Sequence, residues 1–163
     1  MDPPSRRVKL MENIKDFFNS SPYYRHIQMR VQGFTENGCI MTMQVDHQHT
    51  NLYGIAHGGA IASIADSACG LSLAVVLKKD EYTLTQHLTI SYLKPMGIGL
   101  LRAEGRVLKR GKHSAVLEAD VYDESGDKVA HAHTIHSIMK RTDARPGMSI
   151  PTANDLKREN KQD

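Results

Sequence analysis

The sequence predicts an α+β domain in which one antiparallel β-sheet wraps around one long α-helix. Residues 57–77 carry apolar side chains at helical spacing, and small or apolar residues also occupy much of the other side. This pattern is typical of a helix that is covered over most of its circumference. Four β-rich runs follow the helix, and short turns at Arg110 and Gly111 and at Ser125 and Gly126 indicate antiparallel neighbours. A sheet curved around the helix accounts for both observations.

The remaining elements follow from local patterns. A short amphipathic helix is predicted over residues 8–20, where the sequence SSP ends an apolar stripe. A hairpin follows, since the turn pair Asn37 and Gly38 separates two β-rich runs. We interpret the runs after the long helix as a meander of strands. The predicted strands are 27–35, 38–46, 82–94, 99–111, 112–123 and 128–140.

Length and composition indicate one domain. The 163 residues are 40% hydrophobic, and we divide them into a helical segment (1–26), a main domain (27–140) and a mobile tail (141–163). A net charge of +3 is too mild to argue for nucleic acid, and no apolar stretch has the length that spans a membrane. Two cysteines and an opening without a signal-peptide pattern predict a cytoplasmic protein whose thiols are free.

The stretch NLYGIAHGGAIASIAD at 51–66 places a Gly-Gly pair at the start of the long helix. Glycines there weaken the helix, so the pair indicates a role other than packing. Gly58 and Gly59 can offer helix-terminal N–H groups to an oxyanion, because the first N–H groups of a helix have no internal partner. An ordinary glycine turn is the alternative.

A single acid, Asp66, lies in the apolar middle of the same helix, eight residues after Gly58. An α-helix separates the two by roughly 12 Å, which is too far for one small carbonyl group to meet both. If two chains pair, the start of one helix can face the middle of the other. The spacing therefore predicts a site shared between chains. The alternative is a buried Asp that caps backbone groups or pairs with a base.

These motifs resemble those of the hotdog-fold thioesterases, in the branch that contains PaaI-like (phenylacetic acid pathway) and related acyl-CoA thioesterases. The likeness covers roughly residues 30–140, and it includes TQHLTISYLKP at 85–95 and VLKRGK at 107–112. It implies a hotdog fold and hydrolysis of an acyl-CoA to a carboxylic acid and free coenzyme A. It also implies sites shared within a homodimer or a dimer of dimers. No separate cofactor is expected, because coenzyme A is part of the substrate.

The resemblance also implies residue roles. Asp66 is expected to be the nucleophile or the general base, and Asn51 matches an amide that holds the attacking water or the substrate. Thr85 matches a hydroxyl that can orient water. Turn formation by Asn51 and simple strand preference of Thr85 are the alternatives. We expect His57 to hold the loop and, with Gly59, to contact substrate rather than to act as a base.

A basic turn offers a second contact with substrate. Residues 102–112 carry five basic residues against one acid, and this local excess of positive charge could meet the phosphates of coenzyme A. A strand edge protected by basic side chains is the alternative. The preferred phosphate contacts are Lys109, Arg110, Gly111 and Lys112.

Three histidines, His131, His133 and His136, lie close together in the last strand. Residues two apart on a strand share a face, but the spacing from the second to the third reverses it. No nearby Cys or carboxylate in the sequence completes a ligand set, so we predict no metal site.

Two further functions are compatible with the same residues. A binding or regulatory module could hold an acyl-CoA without hydrolysing it, although the presence of Asp66 argues against this. An activity like that of an enoyl-CoA hydratase would need Asp66 and His57 to act as a pair.

Overall fold

The computed structural model describes residues 6–143 and shows three α-helices and six β-strands. Short 3₁₀ turns at His47–His49 and Arg141–Asp143 complete the described chain. The predicted long helix and all six predicted strands are present, each within a few residues of its expected bounds. The elements are α1 Arg6–Asn19, α2 Pro22–His26, β1 Met29–Phe34, β2 Gly38–Val45, α3 Gly58–Ala74, β3 Glu81–Tyr92, β4 Gly99–Arg110, β5 Ser114–Tyr122 and β6 Lys128–Lys140.

The strands form one antiparallel sheet in the order β1-β2-β4-β5-β6-β3. The predicted neighbours β4, β5 and β6 are confirmed. The prediction of a continuous meander is wrong for β3, which pairs with β6 and forms the far edge of the sheet. The physical reason is the connection between β3 and β4. Its six residues, 93–98, are long enough to cross β5 and β6, which lie between β4 and β3, whereas a tight turn is not.

Helix α3 lies across the sheet and contacts five of the six strands. Its fully buried face includes Ile64, Ala65 and Ala68, which join the core formed by β2, β4 and β5. The approach is closest at Gly105 of β4, where an added Cβ would collide with the carbonyl group of Ala68. The sequence expectation of a helix covered on most sides is therefore confirmed.

The N-terminal helix begins and ends close to its predicted bounds, and its residues Phe17 and Phe18 are half-buried. The short helix α2, which has Pro22 in its first turn, was not predicted. Arg141, the first residue of the predicted tail, donates its backbone N–H to Asp80 O at 2.9 Å. The rest of the predicted tail, 144–163, lies outside the described residues. Among residues 6–143, no helix combines the length and apolar character that a membrane span requires.

Candidate active site

The start of α3 presents one backbone donor without a partner. His57 is the N-cap residue, and its Nδ1 accepts a hydrogen bond from Gly59 N at 2.9 Å. Ala60 N and Ile61 N both donate to His57 O. The Gly58 N–H donates to no group of the described residues. His57 therefore caps the start of the helix, and the Gly58 N–H is available to a ligand at the positive end of the helix.

A cavity of about 320 Å³ lies beside this helix start. The Tyr92 hydroxyl donates to Gly58 O at 2.9 Å, so β3 fixes the position of the first residue of α3. Tyr92 was not a predicted site residue. It lies in the run TQHLTISYLKP, where a large aromatic side chain could have indicated a contact with a neighbouring element. The cavity is lined by Asn51, Ile55, Ala56, Gly58, Ile61, Tyr92, Leu93, Lys94, Pro95 and Met96.

Asn51 serves the turn and still lines the cavity. Its Oδ1 accepts from Tyr53 N at 2.9 Å, which is the turn role that Asn commonly has. Its Nδ2 group makes no hydrogen bond within residues 6–143. The turn therefore occupies the side-chain oxygen and leaves the amide donors for water or substrate, so the structure is compatible with both predicted roles.

The carboxyl group of Asp66 is half-buried and is held by the strand beneath it. Thr85 Oγ1 donates to Asp66 Oδ1 at 3.0 Å, beside an irregularity in the β3 register between Thr85 and His87. No backbone donor or cationic side chain among residues 6–143 bonds to Asp66, whose hydrogen-bond partner there is Thr85. Burial raises the pKa of Tyr24 on α2, and the nearby Asp66 adds to the rise. Tyr24 is a neighbour that the sequence did not predict.

The predicted site residues therefore fall into two groups. The entrance group, which consists of Asn51, His57, Gly58 and Gly59, lies at the start of α3. The acid group, which consists of Asp66 and Thr85, lies two turns further along the helix. No residue of the acid group lines the cavity beside Gly58. A single chain does not bring the two groups together.

In the basic turn, Arg110 has a partner within the chain. Its guanidinium binds Glu81 Oε2 at 2.5 Å, and the Glu81 side chain is almost fully buried. A buried carboxylate requires such a partner, so this ion pair stabilises the fold. Gly111 N donates to Ser114 O at 2.8 Å and closes the hairpin. Lys109 and Lys112 are exposed and make no ion pair within the described residues.

Both cysteines are buried and unpaired. Burial raises the pKa of the Cys39 thiol and of the Cys69 thiol to about 12. Both groups are therefore protonated at neutral pH, and neither is a nucleophile.

Hydrolysis of an acyl group needs a donor for the developing oxyanion and a group that attacks or activates water, and a free helix-terminal N–H and a carboxyl group are of these types. Comparisons with known proteins agree. Residues 53–130 match the family model described as the thioesterase superfamily. The chain is 31% identical over 100 residues to mouse acyl-coenzyme A thioesterase 13. These aligned residues are 60% of this chain and 71% of the mouse protein. The chain belongs to the thioesterase superfamily and is a thioester hydrolase.

One further relative supports this assignment, and one solved structure supports the fold. The proofreading thioesterase EntH of Klebsiella pneumoniae is 30% identical over 84 residues, which are 52% of this chain and 61% of that protein. The structure of Escherichia coli PaaI, from the phenylacetic acid degradation operon, superposes with a TM-score of 0.73 at 21% identity. That superposition covers 83% of this chain and 96% of the PaaI chain. The resemblance to PaaI-like hotdog thioesterases is confirmed.

Proposed function

We propose that the protein is an acyl-CoA thioesterase whose site is shared between two copies of the chain. One observation carries the proposal: the free Gly58 N–H and the Asp66 carboxyl group occupy the same helix, roughly two turns apart. Within one chain, a thioester bound at the Gly58 N–H is too far from Asp66 to react with it. The name of the mouse relative supports the acyl-CoA class of substrate.

Two hydrogen bonds indicate how two copies of the chain would be aligned along β3 in this arrangement. Thr85 lies under Asp66, and Tyr92 lies under Gly58. If Gly58 of one copy meets Asp66 of the other, then Tyr92 of one copy lies opposite Thr85 of the other. In a two-fold arrangement the axis would pass midway, between residues 88 and 89 of β3 and close to Ala62 of α3. Ala62 is half-buried and shares a helix face with Gly58 and Asp66.

The chemistry follows from this arrangement. The thioester oxygen accepts a hydrogen bond from the Gly58 N–H, which stabilises the negative charge that develops during attack. Asp66 of the second copy removes a proton from water, which then attacks the carbonyl carbon, while Thr85 fixes the carboxyl group. Alternatively, Asp66 attacks the carbon itself and forms an anhydride that water then hydrolyses. On either route the C–S bond breaks, coenzyme A leaves as a thiolate, and the thiolate takes up a proton that the water gives up. Lys109 and Lys112 are the candidates that bind its phosphates.

The test is complementation between two inactive chains. Asp66→Asn removes the acid. Gly58→Pro removes the N–H, and Pro suits this position because the helix begins there and His57 already has φ −65° and ψ 135°. Gly58→Ala is the matched control, because it keeps the N–H; its added Cβ would lie 3.1 Å from the Tyr92 ring and hydroxyl, so Tyr92 must move by a few tenths of an ångström.

We expect each inactive variant alone to lose turnover by about a hundredfold or more, measured as free thiol released from a panel of acyl-CoAs. Co-expressed chains mixed at random should recover about a quarter of wild-type activity, because half of the dimers then hold one intact site of two. Lasting inactivity of the mixture would place the site within one chain. A wild-type protein that binds acyl-CoA but releases no thiol would instead be a binding module, and hydration of an enoyl-CoA without thiol release would indicate a hydratase.

A further inference from the structure

Three side chains that can bind a metal ion meet on the face of the sheet opposite α3. His131 and His133 lie on β6, and Glu118 is paired with His133 in the neighbouring strand β5. The sequence did not indicate this set, since Glu118 precedes the histidines by more than ten residues and only strand pairing brings it near. His136 has the opposite orientation and is buried, as its spacing predicted.

The distances within the cluster fit a metal ion. The two histidine Nε2 atoms are 3.0 Å apart, and Glu118 Oε2 lies 3.8 Å from His131 Nε2 and 4.0 Å from His133 Nε2. These three atoms form a triangle, and the point in its plane that is equally far from all three lies about 2.1 Å from each atom. That is the length of a zinc bond to an imidazole nitrogen or a carboxylate oxygen.

Neighbouring groups orient two of the three ligands. Asp120 Oδ1 lies 2.7 Å from His131 Nδ1, and a proton held there makes His131 Nε2 a lone-pair donor, which now accepts from His133 Nε2 and which a metal ion would take over. Arg106 Nε donates to Glu118 Oε1 at 2.7 Å, which leaves Oε2 free. Histidine ligands of metal ions commonly have such a carboxylate behind them.

The charges of the cluster select the class of metal. Asp120 also binds Lys128 Nζ at 2.8 Å, so the carboxylates of Asp120 and Glu118 are balanced by Lys128 and Arg106. Without an excess of negative charge, the cluster has little to attract Mg²⁺ or Ca²⁺, which need several oxygen ligands. Two imidazole nitrogens instead favour a transition metal such as Zn²⁺.

We infer that Glu118, His131 and His133 form a binding site for a divalent transition-metal ion of the zinc class. The ion links β5 to β6 and leaves its remaining positions to water, because His133 is about half exposed. The site lies on the opposite face of the sheet from Asp66 and Gly58, so its role is independent of thioester hydrolysis. Bound metal stabilises the folded chain by mass action.

The experiment uses untagged, chelator-treated protein titrated with ZnCl₂ by calorimetry, and in parallel with MgCl₂ and CaCl₂. His131→Ala and His133→Ala remove ligands. His26→Ala is the matched control, because it removes an exposed histidine on α2 outside the cluster. Thermal unfolding with and without ZnCl₂ gives a second measurement on the same four proteins.

We expect one Zn²⁺ per chain for the wild type and for His26→Ala, with affinity lower by about tenfold or more in each ligand variant. ZnCl₂ should raise the unfolding temperature of the first two proteins and not of the ligand variants, and MgCl₂ and CaCl₂ should not bind. The inference is overturned if the wild type shows no saturable Zn²⁺ binding. It is equally overturned if His133→Ala binds Zn²⁺ as tightly as His26→Ala does.

Discussion

The two edges of the sheet are completed in different ways. At β1, the side chain of Asn19 pairs with the outward backbone of Val31, accepting its N–H at 2.7 Å and donating to its carbonyl oxygen at 3.4 Å. Helices α1 and α2 both pack against this strand. At β3, backbone groups of residues 82–92 make no hydrogen bond within residues 6–143 except those with β6. Leu84 on this strand is 45% exposed.

This difference indicates that the two edges of the sheet have different functions. An open edge strand invites pairing with another chain, so proteins either cover it or use it. The chain covers β1 with its own N-terminal helices, and it leaves β3 open beside Thr85 and Asp66. We therefore expect changes that block pairing at the open β3 edge to alter assembly and turnover together. Changes at β1 should alter only the stability of the fold.

The largest effect is expected from Ala62→Glu. The proposed two-fold axis places Ala62 against its own copy, so two added carboxylates would face each other where only small side chains fit. Turnover should fall by about a hundredfold or more, because Gly58 would lose the acid that completes its site. Light scattering should show monomers whose circular dichroism matches that of the wild type.

Ala62→Ser is the matched control for this change, since it alters the same position with little added volume. It should keep both assembly and turnover. Assembled and active Ala62→Glu protein would show that the α3 face above β3 is not an interface between copies.

A smaller effect is expected from Thr85→Val, which keeps the shape of the side chain and removes its hydrogen bond to Asp66. The carboxyl group would lose its fixed orientation, so kcat should fall roughly tenfold while assembly is unchanged. Thr85→Ser keeps the hydroxyl group and should restore most of kcat. Equal rates for the Val and Ser variants would limit Thr85 to a role in the strand.

The sequence predicted what local spacing determines. Helix α3, its glycine start and the eight-residue step to Asp66 could be predicted because residues four apart on a helix share a face. The far-edge position of β3 could not, because it depends on where a six-residue connection crosses the sheet. For the same reason the contact of Tyr92 with Gly58 could not be predicted, since it joins residues that are 34 apart in the sequence. The ion pair of Arg110 with Glu81 could not be predicted either, because the two residues lie on different strands.

The smallest effect is expected from Asn19→Ala at the covered edge. The variant would leave the Val31 N–H and carbonyl group without their side-chain partner, and it should lower the free energy of unfolding by about 1 kcal/mol in urea titrations. Asn19→Asp keeps the acceptor for the shorter of the two hydrogen bonds and should recover part of that loss. Turnover and assembly should equal those of the wild type in both variants, because Asn19 and Val31 make no hydrogen bond with a residue of the entrance or acid groups. A fall in assembly would mean that β1 also forms an interface, and the two edges would then have the same function.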